Sequence, residues 1–258
     1  MRYPSRPFRL IEQAGEISIF FYLTIIACCR RMPKASFTKQ IFKMGVESVP
    51  LILITGSFTG MVLSAQTYNQ LNKLGAETLV GPIVGVGMVE SLGPVLAALM
   101  MSSRVGGSMA AELGTMQVTE QVDALRVFGA DPIRHLVAPR FLACLFVTPL
   151  LTLLADVIGM MGGHVISTNF FHIDAYSYVT QTKAYLGGWQ IVSGVIKAFV
   201  FGGIIATFCC WRGLVTHQGA EGVGRATTQA NVLSAIGILV SNFFLTIFLT
   251  QFHKAFLL

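Results

Sequence analysis

The chain of 258 residues predicts an all-α polytopic membrane protein, on three observations. Hydrophobic residues make up 53% of it and charged residues only 12%, against about 25% charged in an ordinary soluble domain. Five stretches, roughly 46–67, 79–101, 138–160, 189–211 and 232–252, are each mainly apolar over the ~20 residues that a helix needs to cross a bilayer. Lys and Arg are concentrated in the segments that five spans would place on one side. A net charge of +6 in so apolar a chain points to cytoplasmic retention of basic residues rather than to nucleic acid.

The charge distribution fixes the expected orientation. With five spans, Arg2, Arg6, Arg9, Arg30, Arg31, Lys34, Lys39, Lys43, Arg104, Arg126, Arg134, Arg140, Arg212 and Arg225 share one side. The other side has Lys73, Lys183 and Lys254, and Lys197 lies within a span. The positive-rich side is expected to be cytoplasmic, with the N-terminus inside and the C-terminus outside. Residues 1–45 then hold an interfacial helix rather than a sixth span: Leu10, Ile11, Ala14 and Ile17 share one face, and Glu12, Gln13 and Glu16 another. Ile17–Cys29 is only 13 residues long, and crossing there would move Arg2, Arg6 and Arg9 to the positive-poor side. No removable signal peptide is expected.

The second span is unusual. It carries Gly81, Pro82, Gly85, Gly87, Gly93 and Pro94 around an acid, Glu90. Pro94 removes a backbone donor and predicts a hinge beside Glu90, while the glycines allow close helix contact. Lys197 in the fourth span lies at a similar depth from the outer end, within a few ångströms at ~1.5 Å per residue. An unpaired charge at the bilayer centre costs ~2.5–3.5 kcal/mol or more, so both residues should face a bundle interior or a wet cavity. Two readings stay open, a mutual ion pair joining two helices and a cavity receiving a polar head group. Glu47 and Asp156 are placed near span ends, where snorkelling to water accounts for them.

Between the second and third spans, region 105–131 is polar. Val118, Val122, Leu125 and Phe128 form one apolar stripe at helical spacing, Glu120, Asp123 and Arg126 lie on another face, and Gly129 and Pro132 end the helix. An acid-rich face sits poorly against anionic cytoplasmic lipid and suits a soluble partner better. Beyond the third span, segment 161–188 should hold a short outer helix capped by Asp174, with an apolar edge of Tyr178, Tyr185 and Leu186. The glycine-rich stretch 219–224 reads as a flexible loop and "GVGM" at 85–88 as helix packing. The five cysteines lie in or beside apolar segments as structural thiols.

Enzyme chemistry has little footing. The chain contains no G-x-x-x-x-G-K-[ST], no H-E-x-x-H and no G-x-S-x-G. His164, His172 and Asp174 match no common metal-ligand spacing, and no cofactor or metal is expected.

"EQVDALRVFGADPIRHLVAPR" at 120–140 resembles the signature of the MlaE-type permeases, the membrane subunits of ABC transporters linked to MCE-domain proteins. "GAEGVGRATTQANV" at 219–232 resembles that family's second typical stretch, and the likeness covers nearly the whole chain. The resemblance implies a single permease domain over 1–258 in a bacterial inner membrane, working as a homodimer. It implies a cytoplasmic ATPase docked on a coupling helix, here with Glu120, Asp123, Leu125, Arg126 and Phe128 as contacts. It further implies a STAS-domain protein on the ATPase, a periplasmic MCE hexamer, and glycerophospholipid transport between inner and outer membranes that maintains outer-membrane lipid asymmetry. Glu90 and Lys197 would face the lipid cavity, and ATP hydrolysis would belong to another chain. The alternatives are a stand-alone secondary transporter or channel, for which one Glu and one Lys in spans make a thin relay, and a non-transporting membrane anchor, which would leave those charges unexplained.

Overall fold

The computed structural model describes residues 6–29, 34–217 and 219–257, and among them every regular element is helical. Arg2, Arg30 and Arg31, and the side chains of Leu10, Ile11 and Ala14, on which part of the orientation argument rests, lie outside the described residues. Five stretches are long and apolar enough to cross a membrane: Phe37–Leu74, Glu77–Val118, Ile133–Asn169, Gly188–Leu214 and Gly219–Ala255. The protein is an all-α polytopic membrane protein.

In chain order the helices are α1 (Arg6–Cys29), α2 (Lys34–Val46), α3 (Val49–Leu71), α4 (Val80–Gly87), α5 (Gly93–Met101), α6 (Gly107–Val118), α7 (Gln121–Val127), α8 (Ala138–Asn169), α9 (Ala175–Tyr185), α10 (Gly188–Leu214) and α11 (Gly219–Leu257). Three five-residue π segments interrupt the α geometry, at Met88–Leu92, Ser102–Gly106 and Ile133–Val137. Such wide turns inside helices commonly mark functional positions, because they free backbone carbonyls from the regular ladder.

The chain forms two compact units. The first draws on the described residues of 1–44, 102–145 and 203–235. Its core joins Phe20, Leu113, Val137, Cys210 and Trp211, with Ile17, Ile133, Leu136, Leu214 and Leu233 packed against them. An ionic clamp ties three helices of this unit: Glu112 of α6 pairs with Lys43 of α2 and accepts from Arg140 of α8 at 3.1 Å. Arg140 also donates to the Leu136 carbonyl at 2.8 Å and is only 7% exposed. A buried guanidinium paired with a carboxylate in this way ties its helices in one register, because loss of the carboxylate would strand a charge.

The second unit draws on 45–101, 146–202 and the described residues of 236–258. Here α3 and α8 meet through small residues: a side chain at Gly60 would overlap the Gly159 backbone, and Gly162 lies against the Ser57 carbonyl. With no water-driven attraction between helices in a bilayer, such close backbone contact supplies the packing energy. Ser64 and Ser167 hydrogen-bond across the same interface at 2.6 Å. A second core joins Val80, Val84, Met88, Ile173 and Tyr178, seating α9 on α4.

Three expectations change. Residues 219–224 are not a flexible loop but the first turns of α11, which is 39 residues long. The glycines there are followed by Arg225, Ala226 and Gln229, good enough helix formers to carry the helix through them. Asp156 is not near a span end: α8 continues to Asn169, and Asp156 lies inside it at 4% exposure. The apolar edge expected on α9 is narrower, since Tyr178 is buried but Tyr185 is 56% exposed.

Candidate functional site

The bulged backbone around Glu90 is held by two helices of the second unit. Pro94 has no N–H, so the Glu90 carbonyl four residues before it loses its α-helical donor. Lys197 of α10 supplies the replacement: its Nζ donates to the Glu90 carbonyl oxygen at 2.7 Å, with the side chain 1% exposed. One turn earlier on α10, Gly194 lies against the Val89 carbonyl so closely that a Cβ would collide with it. On the opposite flank, Oδ1 of Asp156 from α8 occupies the place that a Cβ on Gly93 would take. That oxygen is buried and has no hydrogen-bond partner among the described residues.

Glu90 and Lys197 are thus brought together, but not as the carboxylate–ammonium pair that one sequence reading allowed. The lysine bonds the backbone of Glu90, and the two side-chain charges attract each other through space. The Glu90 carboxylate itself is half-buried and makes no hydrogen bond or ion pair among the described residues. Pro94, the expected hinge, is buried two residues after the π segment ends. The arrangement leaves an acid beside a fixed cation, on a backbone segment that already departs from regular helix. It has the chemistry to receive a zwitterionic or polar group.

The polar region between the second and third spans belongs to the first unit and is not one continuous helix. Glu120 adopts a left-handed conformation (φ 59) that breaks it, so Val118 ends α6, Val122 and Leu125 lie in α7, and Phe128 follows as its C-terminal cap. A non-glycine residue at positive φ is uncommon and gives no sequence warning here. Val122 is fully buried and anchors α7, whereas Val127 and Phe128 are 85% and 84% exposed. Asp123 and Arg126 pair at 2.9 Å on the exposed side, and Leu125 is half-buried. At the C-terminus, Gly129 (φ 73) donates to the Arg126 carbonyl and Ala130 to that of Leu125, the paired closure that a left-handed glycine permits. Asp131 then accepts from the Ile133 amide at 3.0 Å and starts the next helical segment. The result is a short two-turn helix, closed at both ends, that presents the exposed side chains of Val127 and Phe128 and an ion pair.

On α9, Asp174 caps the helix, accepting from the Ser177 amide at 2.7 Å. His164 of α8 rests edge-on against Tyr178, and His172 sits in a left-handed turn (φ 54). Burial pushes the Tyr178 hydroxyl up to about 12, a hydrogen bond with Ser167 pulling the other way, so it stays neutral. Sequence reasoning missed the Glu112 clamp, whose three members are far apart in the chain, and it misplaced Asp156 at a span end rather than as a buried carboxyl with an orphaned oxygen. The only available signal for the latter was an acid inside an apolar run.

Comparison with known proteins agrees with this architecture. The family described as Permease MlaE matches residues 37–248. A probable ABC transporter permease protein of Rickettsia bellii is 42% identical over 244 residues, covering 93% of each chain. The protein TRIGALACTOSYLDIACYLGLYCEROL 1, chloroplastic, of Arabidopsis thaliana is 38% identical over 213 residues, 83% of this chain and 61% of that one. The intermembrane phospholipid transport system permease protein MlaE of Haemophilus influenzae is 34% identical over 209 residues, 81% of this chain and 80% of that one. By the extent of the family match and the level of these identities, the chain belongs to the MlaE permease family.

Proposed function

We propose that the protein is the permease subunit of an ABC transporter that moves glycerophospholipids between inner and outer membranes and so maintains outer-membrane lipid asymmetry. The observation that carries this reading is α7: a short helix, anchored by buried Val122, leaves Val127 and Phe128 about 85% exposed, uncovered by any of the described residues, as a docking element would. The names of the Rickettsia and Haemophilus relatives supply the ABC class and the phospholipid cargo. ATP hydrolysis resides on a separate cytoplasmic subunit seated on α7, with Glu120, Asp123, Leu125, Arg126 and Phe128 at the contact.

In this reading the N-terminus is cytoplasmic and the C-terminus periplasmic, as the basic residues argue. The permease acts as a homodimer. The broad apolar face of α11, on which Phe243, Phe244 and Phe248 are all more than 60% exposed, is available to a second copy or to lipid. A STAS-domain protein on the ATPase and a periplasmic MCE hexamer complete the assembly. Closure of the ATPase pair pushes on α7, and the permease alternates between a lipid-holding and a collapsed cavity. Apolar walls hold acyl chains, while the Glu90 carboxylate and the Lys197 ammonium meet the head group and Pro94 serves as hinge.

The test is a double substitution of the α7 face, Asp123→Arg with Leu125→Asp, scored by co-purification of the ATPase and by lipid transport. Loss of both with an intact fold supports the assignment; retention of both contradicts it.

A further inference from the structure

Where α10 ends and α11 begins, a cleft of about 250 Å³ opens in the first unit. Its polar lining is Arg212, Thr216, His217, Arg225 and Gln229, with Gly222 contributing backbone, and no carboxylate lines it among the described residues. Arg212 is the deepest cation. Its guanidinium carbon stacks 4.4 Å from the Trp211 ring, and its Nε is buried without a hydrogen-bond partner among the described residues. Glu16 of α1 acts on it through space without forming an ion pair. Arg225 pairs with Glu221 at 2.8 Å, but both side chains are about two-thirds exposed or more, and such a surface pair is worth ~0–1 kcal/mol and exchanges readily.

The backbone points the same way. Gly219 is left-handed (φ 62) and turns the chain into α11, whose first-turn amides have no acceptor within their own helix. A 39-residue helix places the positive end of its dipole there. Arg212, Arg225, Gln229 and the first turns of α11 at Gly222 line the same cleft, a set of N–H donors whose chemistry suits an oxyanion.

We propose that this cleft is an anion site for a phosphate group, either the head group of a phospholipid or a free phosphate, with Arg212 as its deep ligand and Arg225 at its rim. The site is separate from the Glu90–Lys197 segment, belongs to the other unit, and does not depend on the transport reading.

Trp211 makes the site observable, since the chain has only two tryptophans. The full chain carrying Trp189→Phe is purified in dodecyl maltoside, which holds no phosphate. Inorganic phosphate and short-chain phosphatidylglycerol are titrated separately while Trp211 emission is followed. The expected result is a saturable change with at least one of the two. Response to phosphate alone identifies a free anion, and response to phosphatidylglycerol alone identifies a head group. Arg212→Gln should weaken the response roughly tenfold or more. Gln229→Glu, at an exposed position of α11, places a carboxylate in the cleft and should abolish the response. No response to either probe, or an unchanged response in the well-folded Gln229→Glu variant, overturns the proposal.

Discussion

Lys197 donates to the backbone carbonyl of Glu90, the carbonyl that Pro94 leaves without a donor. A buried lysine and a proline in different spans thereby solve one problem together. Lys197→Met should leave that carbonyl unsatisfied and destabilise the protein by ~1–3 kcal/mol. Adding Pro94→Ala restores an amide donor and should recover part of the loss. Thermal unfolding of the two single variants and the double variant in detergent gives the coupling, and strict additivity would show that the two residues do not share this carbonyl.

Asp156 and Gly93 form the second contact on the bulge. Gly93→Ala should be strongly destabilising, because the added Cβ falls on the Asp156 carboxyl. Asp156→Ala in the same chain vacates that space and should rescue expression and melting temperature. If Gly93→Ala alone folds as well as wild type, the close approach of α8 to the π segment is wrong.

The Glu112 clamp predicts an order of effects. Glu112→Gln strands the buried Arg140 and should cost on the order of 2–3 kcal/mol, discounted from a fully buried pair because Glu112 is 36% exposed. Lys43→Gln removes only a half-exposed partner and should cost under ~1 kcal/mol. Chemical unfolding curves measured side by side would reverse this order if Lys43 rather than Arg140 were the principal partner.

On α7, Val127→Ala and Phe128→Ala remove exposed side chains and should change stability by less than ~0.5 kcal/mol. Under the proposed docking role they should nevertheless reduce retention of the ATPase on affinity purification. Val122→Asp, at the buried anchor, should disturb the fold itself.

Much of the architecture was legible in the apolar runs and the basic asymmetry, because bilayer thickness and the cost of buried charge act on composition directly. The ends of the helices were not. Hydropathy falls off where a helix leaves the apolar layer, but its hydrogen bonds do not, so α8 runs to Asn169 and α11 starts at Gly219, well outside their apolar windows. That extension is why Asp156 looked terminal and is internal. The donor that Pro94 removes was visible in the sequence, and the carbonyl it frees could have named Lys197's partner, but charge complementarity made the Glu90 carboxylate the more obvious choice. The break at Glu120 left no trace, since no glycine marks it. The Glu112 clamp depends on three helices meeting, which periodicity within a single helix cannot show.

Under the proposed function, this permease couples nucleotide turnover on another chain to movement of phospholipid. Native mass spectrometry of the complex, purified with its own partners, tests it most directly by counting bound lipid before and after nucleotide addition. The account predicts a bound glycerophospholipid whose occupancy changes with ATP in the wild type and not in the Asp123→Arg, Leu125→Asp variant. A complex with no ATPase partner, or lipid occupancy indifferent to nucleotide, would contradict it.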